Sequence, residues 1–288
     1  MKVLVIGCNG QLGHSLADTA PTNMDIIGLD LPELDITDAA AVLETCHEIC
    51  PDVIVNAAAY TAVDKAETDD ALAIAVNVDG PRNIAVASQK VGARLIHIST
   101  DFVFDGKSSV PYKADAPTNP LSVYGRTKRD GELAVLEETS GSAVIIRTSW
   151  LYSKTGSNFV KTMLRLMGER DELGIVTDQI GSPTSADSLA MAVWAFVDVP
   201  EQFGMFHWAD SGETSWQGFA LAIQEEALSL GLLEKAIPVH AIKTEDYPSA
   251  ATRPAYSVLD CSRTIQAINM QTAGWRTNLR QMLQGITE

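Results

Sequence analysis

Residues 2–13 read KVLVIGCNGQLG, a short apolar run followed directly by a glycine-rich turn. The run predicts a buried strand, and the segment after it predicts a helix that begins at Gln11. The turn contains Gly7, Gly10 and Gly13, which permit close approach of the backbone to a pyrophosphate and close packing of the helix on the sheet. Their spacing is G-x-x-G-x-x-G, which differs from the more common G-x-G-x-x-G. The free N–H groups at the start of this helix predict a site for the phosphates of a dinucleotide.

Strands and helices alternate in the same way through the first half of the chain. After the strand at Lys2–Ile6, further strands are predicted at Ile26–Leu29, Asp52–Asn56, Arg94–Ser99 and Ala143–Arg147. The helices between them are predicted at Gln11–Thr19, Asp38–Ile49, Asp69–Val91 and Leu121–Glu138. This alternation predicts a Rossmann-type α/β fold, in which helices cover both faces of a doubly wound parallel sheet.

The pattern is less regular beyond Trp150. Helices are predicted at Asn158–Met167, Ser185–Phe196 and Ser215–Leu230, and strands at Leu173–Val176 and Gly204–Trp208. We therefore predict a dinucleotide-binding domain over residues 1–150 and a smaller α/β substrate-binding lobe over residues 151–288, with later segments returning to the first domain. Four aromatic residues are interpreted as packing for the smaller lobe, namely Trp194, Phe196, Trp208 and Trp216.

Composition and charge limit the classes of function. The chain has 288 residues, of which 46% are apolar, so it can build a large core. Its net charge of −16 repels phosphate backbones and anionic lipids, and no stretch is apolar for long enough to span a membrane. We therefore expect neither nucleic acid nor a membrane as a partner. An anionic small molecule can still bind where cationic side chains and backbone N–H groups gather.

The cysteines and the start of the chain predict a compartment. The first apolar run ends at Gly7, which makes it too short for the core of an export signal. Without such a signal the cysteines are expected to be thiols, and the protein is predicted to be cytoplasmic. Cys46 and Cys50, together with His47, supply too few ligands for a zinc site, so no metal is predicted.

Asp30 ends the second predicted strand, about 20 residues after the glycine turn. A carboxylate at this position can accept hydrogen bonds from a ribose diol, whereas a 2′-phosphate needs a nearby cation. Neither the turn nor the end of this strand carries Lys or Arg, and Glu33 and Asp35 add further negative charge. The cofactor is therefore predicted to be NADH or NADPH, with NADH slightly favoured. The alternative is a glycine-rich turn that binds no nucleotide.

Tyr124 and Lys128 are four residues apart in a predicted helix and therefore lie on one face of it. A nearby ammonium favours the phenolate, so Lys128 is expected to lower the pKa of Tyr124 and make it a proton donor to a developing alkoxide. The alternative is an ordinary pair on the surface. Ser99 and Thr100 argue against that alternative, because they end a parallel strand at the sheet edge where ligands bind. The small side chains within Asn56–Ala59 end another strand and leave room for a flat ring.

Eight stretches, distributed along almost the whole chain, carry a resemblance to a known family. They read GCNGQLG at 7–13, DVIVNAAAYTAVDKAE at 52–67, HISTDFVFDG at 97–106, YGRTK at 124–128, RTSWLY at 147–152, SNFVKTMLRL at 157–166, DQIGSPT at 178–184 and RPAYSVLD at 253–260. With these stretches the chain resembles the extended short-chain dehydrogenase/reductase family. The second and third stretches are the most specific, and they make the chain most similar to the branch that reduces 4-keto nucleotide sugars.

The resemblance implies reduction of dTDP-4-dehydro-L-rhamnose to dTDP-L-rhamnose by a nicotinamide hydride. Tyr124 would donate the proton to the sugar oxygen, Lys128 would hold the nicotinamide ribose, and Thr100 would hydrogen-bond the reacting oxygen. The other implied cofactor contacts are Gly7, Gly10, Gln11, Leu12 and Gly13 at the pyrophosphate, Asp30 at the adenosine ribose, Asp35 and Ile36 near the adenine, and Ala59, Tyr60 and Thr61 beside the nicotinamide. The other implied substrate contacts are Asp101 and Trp150 at the sugar, and Asn158, Lys161 and Arg253 at the diphosphate.

Two positions depart from the pattern of this family. Some members form dimers through Mg²⁺ held by acidic side chains, but Ser15 stands where one of those carboxylates would be. We therefore expect a monomer or a homodimer, and we do not expect a dimer bridged by Mg²⁺. Phe102 stands where a tyrosine is often found, which removes one hydroxyl from the pocket.

Two other functions remain open. One is a nucleotide-sugar epimerase or dehydratase on the same scaffold, although a dehydratase would have Glu where Phe102 stands. The other is a regulatory subunit that keeps the fold and binds a dinucleotide without catalysis. The intact set of Thr100, Tyr124 and Lys128 argues against such a subunit, because binding alone gains nothing from a tyrosine tuned to donate a proton.

Overall fold

The structure is a computed structural model that describes residues 1–287, and the side chains of residues 1–286. Glu288, the last residue of the predicted lobe, lies outside the described residues. The strands are β1 Lys2–Ile6, β2 Asp25–Leu29, β3 Val53–Asn56, β4 Arg94–Thr100, β5 Val144–Thr148, β6 Leu151–Tyr152, β7 Leu173–Val176, β8 Ile180–Gly181, β9 Thr184–Ser185, β10 Gly204–His207, β11 Thr214–Ser215 and β12 Val239–Ile242. The α-helices are α1 Gln11–Asp18, α2 Ala39–Ile49, α3 Val63–Ala66, α4 Asp70–Ile74, α5 Gly80–Val91, α6 Val123–Glu138, α7 Phe159–Glu169, α8 Ala186–Val197, α9 Trp216–Ser229, α10 Ser262–Ile268 and α11 Trp275–Thr287.

Six parallel strands form the central sheet, in the order β2-β1-β3-β4-β5-β10. The strands at its centre are buried on both faces by helices, and their apolar residues fill the cores on the two sides of the sheet. The chain passes from β1 outward to β2 and then back to β3 on the other side of β1. Open α/β sheets bind ligands outside the carboxyl ends of the strands at such a point. The predicted Rossmann-type fold is confirmed.

Two apolar cores lie on opposite faces of this sheet. Helices α2, α5 and α6 cover one face, whereas α1, α8 and α10 cover the other. Strand β10 and helix α8 come from the second half of the chain, yet they extend and cover the first sheet. The interpretation of Trp194, Phe196 and Trp208 as packing for the smaller lobe is wrong, because the return of the chain buries all three against the central sheet.

A separate core holds the smaller lobe together. It forms where α7, α9 and α11 meet, around Tyr152, Met163, Phe219 and Leu279. The parallel pair β7–β12 packs beside it. None of the described helices combines the length and the apolar character needed to cross a bilayer. The division of the chain into domains at residue 150 stays a prediction.

The long helix predicted at Asp69–Val91 is interrupted. In the structure α4 ends at Ile74, a π-helical turn follows at Ala75–Asp79, and α5 begins at Gly80. Pro81 has no N–H group, so it cannot make the regular helical hydrogen bond to the carbonyl of Asn77 four residues earlier. The predicted helical segment is confirmed from Asp70 to Val91, with a π-helical turn within it that contains the buried Asn77.

Candidate active site

A cleft of about 770 Å³ opens at the carboxyl ends of β1, β3 and β4 and extends to the smaller lobe. Most of the predicted site residues line it. They are Gly7, Gly10, Gln11, Leu12, Asp30, Asp35, Ile36, Ala59, Thr61, Thr100, Asp101, Tyr124, Lys128, Trp150, Asn158 and Arg253. The fold therefore brings together residues that are up to about 250 positions apart in the sequence, as ligand sites at strand ends do.

The glycine turn has a geometry that other residues would not adopt. Gly7 has φ +86°, and a Cβ there would lie 2.6 Å from the backbone nitrogen of Ala58. A Cβ on Gly13 would lie 2.4 Å from the carbonyl oxygens of Gly7 and Cys8. Gly13 does not line the cleft within the described residues; it allows α1 to begin directly behind the turn. No described side chain caps α1, so the N–H groups of its first turn can bind an anion.

Asp30 is held beside this turn by two backbone N–H groups. Its Oδ2 accepts a hydrogen bond from Asn9 at 2.9 Å, and its Oδ1 accepts one from Leu31 at 2.8 Å. Of the described residues that line the cleft, Lys128 and Arg253 are the cations, and neither belongs to the turn or to β2. The end of the cleft around Asp30 therefore carries a fixed negative charge.

Tyr124 lies in the first turn of α6, and two acceptors define where that helix begins. The Ser122 hydroxyl accepts the N–H of Gly125 at 3.2 Å, and Glu67 Oε1 accepts the N–H of Val123 at 2.8 Å. The ring of Phe102 packs edge to face on the Tyr124 ring, with 5.4 Å between centroids. The side chain of Tyr124 is buried.

Burial decides the protonation of Tyr124 and Lys128. Loss of hydration raises the pKa of Tyr124 to about 12, although its hydrogen bond with Thr100 lowers it. Burial lowers the pKa of Lys128 to about 8, opposed by the charge of Glu132, and the Lys128 Nζ donates to the carbonyl of Ile98 at 2.8 Å. The expectation that Lys128 brings the pKa of Tyr124 down towards neutrality is therefore wrong. Tyr124 keeps its proton at neutral pH, as a proton donor must.

Asn77 is a site residue that the sequence analysis missed. It is fully buried, and its Oδ1 accepts the N–H of Tyr60 at 2.9 Å while its Nδ2 donates to the Tyr60 carbonyl at 3.1 Å. The same Nδ2 donates to the Thr127 hydroxyl at 3.1 Å, and Thr127 donates to the Tyr124 carbonyl. Asn77 thus joins the loop after β3 to the helix that carries Tyr124. A proline four residues after an asparagine in a predicted helix was the available signal.

Tyr60 itself does not line the cleft among the described residues. Its hydroxyl donates to Asp69 at 3.3 Å, and its ring packs with Tyr124 and Val63 in a small apolar cluster. The predicted place of Tyr60 beside the nicotinamide stays a prediction. Its neighbours Ala59 and Thr61 do line the cleft.

Two stacked indoles form the wall of the cleft on the side of the smaller lobe. The rings of Trp150 and Trp216 are nearly parallel, at 6°, with 3.5 Å between their centroids. Trp150 has φ +46°. Residues other than glycine rarely adopt this backbone conformation, and those that do tend to cluster at functional sites. Trp216 also lines the cleft, so its interpretation as packing alone is incomplete.

The loop at residues 153–158 is joined to the glycine turn through Gln11. The Oε1 atom of Gln11 accepts hydrogen bonds from the Ser153 hydroxyl at 3.1 Å and from Asn158 Nδ2 at 3.0 Å. Asn158 also caps α7, since its Oδ1 accepts the N–H of Lys161 at 3.1 Å. The Lys161 ammonium donates to the carbonyl of Lys154, and Lys161 is not among the described residues that line the cleft. The predicted contact of Lys161 with a diphosphate stays a prediction.

Asp101 is buried beside Thr100 with one oxygen unused. Its Oδ1 accepts the Thr100 hydroxyl at 3.0 Å, whereas its Oδ2 has no hydrogen-bond partner among the described residues. Burial raises the pKa of this carboxyl to about 6, although the neighbouring hydroxyls of Ser257 and Thr100 oppose the rise. A buried acceptor without a partner is rare in folded proteins. Asp101 is among the residues that line the cleft, although Oδ2 itself has almost no exposed surface.

A buried ion pair lies beneath these residues. The Arg147 guanidinium donates to both oxygens of Glu132, at 2.8 Å and 2.7 Å. Ser99 donates to the same carboxylate, and Glu132 is one helical turn from Lys128. Neither charged group of the pair is exposed. The pair therefore connects β5 to α6 directly below the cleft.

Comparison with known proteins identifies the family. A profile described as the RmlD substrate binding domain matches residues 1–288. A dTDP-4-dehydrorhamnose reductase from Aggregatibacter actinomycetemcomitans is 41% identical to the chain, and the match covers 98% of each. The chain belongs to the dTDP-4-dehydrorhamnose reductase family.

Solved members of the dTDP-4-dehydrorhamnose reductase family have the same fold. The protein from Clostridium acetobutylicum is 39% identical, and it superposes with a TM-score of 0.94 over 100% of both chains. The protein from Bacillus anthracis, solved in complex with NADP, is 38% identical and superposes with a TM-score of 0.93 over 99% of both chains. The resemblance to reductases of 4-keto nucleotide sugars is therefore confirmed.

The cleft of this dTDP-4-dehydrorhamnose reductase family member fits a nicotinamide dinucleotide. The backbone around Gly7 leaves no room for a side chain at the turn. The first turn of α1 presents N–H groups that no described side chain caps, and these can bind phosphate. Asp30 is fixed where a ribose diol can donate to it, and Ala59 leaves space beside Thr100. Phosphate binding, ribose binding and a place for a flat ring thus occur along one continuous cleft.

Proposed function

We propose that the protein reduces dTDP-4-dehydro-L-rhamnose to dTDP-L-rhamnose, with NADH or NADPH as the hydride donor. The observation that carries this proposal is the buried set of Tyr124, Thr100 and Lys128 in the cleft that also contains the glycine turn. The name of the relative from Aggregatibacter actinomycetemcomitans, which matches almost the full length of the chain, supports the same activity.

Tyr124, Thr100 and Lys128 have different roles in this reaction. A nicotinamide dinucleotide, when bound, supplies the hydride. Tyr124 supplies the proton to the sugar oxygen, and Thr100, which lines the cleft with it, hydrogen-bonds the same oxygen. A donor that is already oriented stabilises negative charge as it develops on that oxygen. Lys128 carries a positive charge below about pH 8 and adds to this stabilisation.

The substrate is held by groups on both sides of the cleft. The Asp101 carboxylate contacts the sugar, since Asp101 lines the cleft beside Thr100. Trp150 packs its ring on the sugar, and Trp216 supports it from behind. Arg253 and Asn158 bind the diphosphate, since a guanidinium fork fits phosphate oxygens.

An assay with purified protein tests the proposal. When dTDP-4-dehydro-L-rhamnose is added to the protein with NADH or NADPH, the reduced cofactor is expected to be oxidised. The amount oxidised is expected to equal the amount of dTDP-L-rhamnose formed. An epimerase would convert a nucleotide sugar without net consumption of the cofactor. A regulatory subunit would bind the dinucleotide and oxidise none of it, and that result would overturn the proposal.

The second proposal concerns the choice of cofactor. We expect NADH to be used at least as well as NADPH, because Asp30 is fixed beside the glycine turn and neither the turn nor β2 provides a cation to the cleft. A 2′-phosphate near this carboxylate would be repelled. The measurement is kcat/KM for each cofactor at a fixed concentration of keto-sugar.

The variant Asp30→Ala provides the matched test of that explanation. Without the carboxylate, the ratio of kcat/KM for NADPH to that for NADH is expected to rise by about tenfold. A tenfold preference of the unaltered protein for NADPH would contradict the prediction. It would mean that a cation outside the turn and β2 reaches the phosphate. The relative from Bacillus anthracis, solved with NADP, makes this comparison informative.

The remaining partners and the location are also part of the proposal. We propose a cytoplasmic protein, a location that its four free cysteines support. We propose a monomer or a homodimer without bridging Mg²⁺, supported by the buried serine at position 15. The partner of the site is the nucleotide sugar, and the charge of −16 supports the absence of nucleic acid and membrane partners.

A further inference from the structure

Asp64 holds Arg253 at the edge of the cleft. Asp64 lies in α3, just after the loop that follows β3, whereas Arg253 lies in an extended segment of the smaller lobe. Arg253 Nη2 donates to Asp64 Oδ2 at 2.6 Å. The other oxygen of the same carboxylate accepts the N–H of Ala251 at 3.0 Å. One side chain thus fixes both the guanidinium and the backbone that carries it, over a sequence separation of 189 residues.

The guanidinium retains donors for a ligand. An arginine has five N–H groups. The hydrogen bonds of the described residues use one for Asp64 and one, at 3.4 Å, for the carbonyl of Ala251. Arg253 lines the cleft, but Asp64 is not among the described residues that do. The carboxylate therefore lies behind the guanidinium as seen from the cleft.

Arg253 is the main source of positive charge for a substrate phosphate. The other cation of the described cleft lining is Lys128, whose Nζ already donates to the Ile98 carbonyl at 2.8 Å beside Tyr124. The protein as a whole is strongly negative, so a diphosphate needs a local cation in a defined position. The orientation of Arg253 is therefore expected to influence substrate affinity strongly.

We propose that Asp64 is a positioning residue for the substrate, which orients Arg253 so that its remaining N–H groups bind the diphosphate of the nucleotide sugar. This inference rests on the proposed function. A free arginine side chain has many rotamers, and ordering it when the ligand binds weakens affinity. Asp64 orders it in the folded protein before the ligand arrives. This role also accounts for Asp64 within the stretch NAAAYTAVDKAE, because none of the roles assigned to the residues of the cleft involves that carboxylate.

The test is the dissociation constant of dTDP, measured calorimetrically on the full-length protein. Asp64→Ala is expected to raise this Kd about tenfold, which corresponds to the loss of one charged, oriented interaction. The Kd for NADH is expected to stay unchanged, and kcat at saturating keto-sugar is expected to fall less than about threefold. Asp64→Asn keeps an oxygen that can accept the Ala251 N–H, so its effect is expected to be smaller than that of Asp64→Ala.

The control is an ion pair of similar geometry on the surface. Asp70 and Arg126 are 2.9 Å apart, both are about half exposed, and neither is among the described residues that line the cleft. Asp70→Ala is expected to leave the Kd for dTDP unchanged. Thymidine, which has no phosphate, serves as the uncharged comparison ligand. Asp64→Ala is expected to affect its binding less than it affects dTDP.

A double-mutant cycle distinguishes positioning from general loosening. If Asp64 acts through Arg253, the double variant Asp64→Ala/Arg253→Ala is expected to bind dTDP no more weakly than Arg253→Ala alone. Additive losses, equal losses for thymidine and dTDP, or an unchanged Kd in Asp64→Ala would each overturn the inference. Failure of the proposed function would look different, because wild-type protein would then bind dTDP without oxidising NADH or NADPH.

Discussion

Replacement of Tyr124 by phenylalanine is expected to lower kcat by about 10²–10⁴-fold while cofactor binding stays nearly unchanged. The hydroxyl acts on the charge that develops in the transition state, whereas the ring contributes to packing in the ground state. Phenylalanine keeps the edge-to-face contact with Phe102, so the local structure is expected to remain. Steady-state kinetics with the keto-sugar gives kcat, and titration with NADH gives the cofactor Kd.

Tyr112→Phe is the matched control for that variant. The Tyr112 hydroxyl donates to Asp105 at 3.0 Å, and Tyr112 is not among the described residues that line the cleft. Loss of this hydroxyl is expected to leave kcat within about twofold of wild type, since the hydrogen bond lies outside the reacting groups. If Tyr124→Phe retained a kcat near that of wild type, its assignment as proton donor would be wrong.

The largest effect on stability is expected for Glu132→Gln. The change removes the charge that faces the buried guanidinium of Arg147, but it keeps the size of the side chain. Removal of one partner from a buried ion pair leaves the other charge without compensation, which costs about 3–5 kcal/mol. Unfolding in urea, followed by circular dichroism, gives the change in the free energy of unfolding.

An exposed ion pair on α7 provides the comparison for Glu132. Arg165 and Glu169 are 2.8 Å apart on successive turns, and more than half of each side chain is exposed. Glu169→Gln is therefore expected to change the free energy of unfolding by less than about 1 kcal/mol. If Glu132→Gln and Glu169→Gln lowered the free energy of unfolding equally, the buried pair below the cleft would stabilise the fold no more than the exposed pair does.

The sheet and the cofactor end of the cleft could be predicted well because their signals are local in the sequence. Buried parallel strands are nearly continuous apolar runs, so β1 and β3 were located to within one residue. The turn at Gly7 needs residues without side chains, and that requirement is visible in the sequence itself. Once these strands are parallel, their carboxyl ends meet at one edge, which brings Thr100 towards Asp30.

Other parts of the site depend on tertiary contacts that leave no local pattern. Trp216 begins a helix far along the chain, and only its stacking on Trp150 brings it to the cleft. Lys161 was predicted at the diphosphate, but capping of α7 by Asn158 leaves its ammonium at the Lys154 carbonyl. The pKa of Tyr124 depends on burial, which the distance to a lysine along one helix does not reveal.

The return of the chain to the central sheet limits how proteins of this architecture can change their substrate. Strand β10 and helix α8 follow Trp150 in the sequence, yet they form the edge and one cover of the sheet that carries the glycine turn. Loss of everything after Trp150 would strip that sheet of an edge strand and expose its apolar face, so any replacement would have to restore both contacts. The half after Trp150 therefore cannot be exchanged independently of the sheet. New specificities must arise by substitutions and loop insertions within a frame that both halves of the chain share.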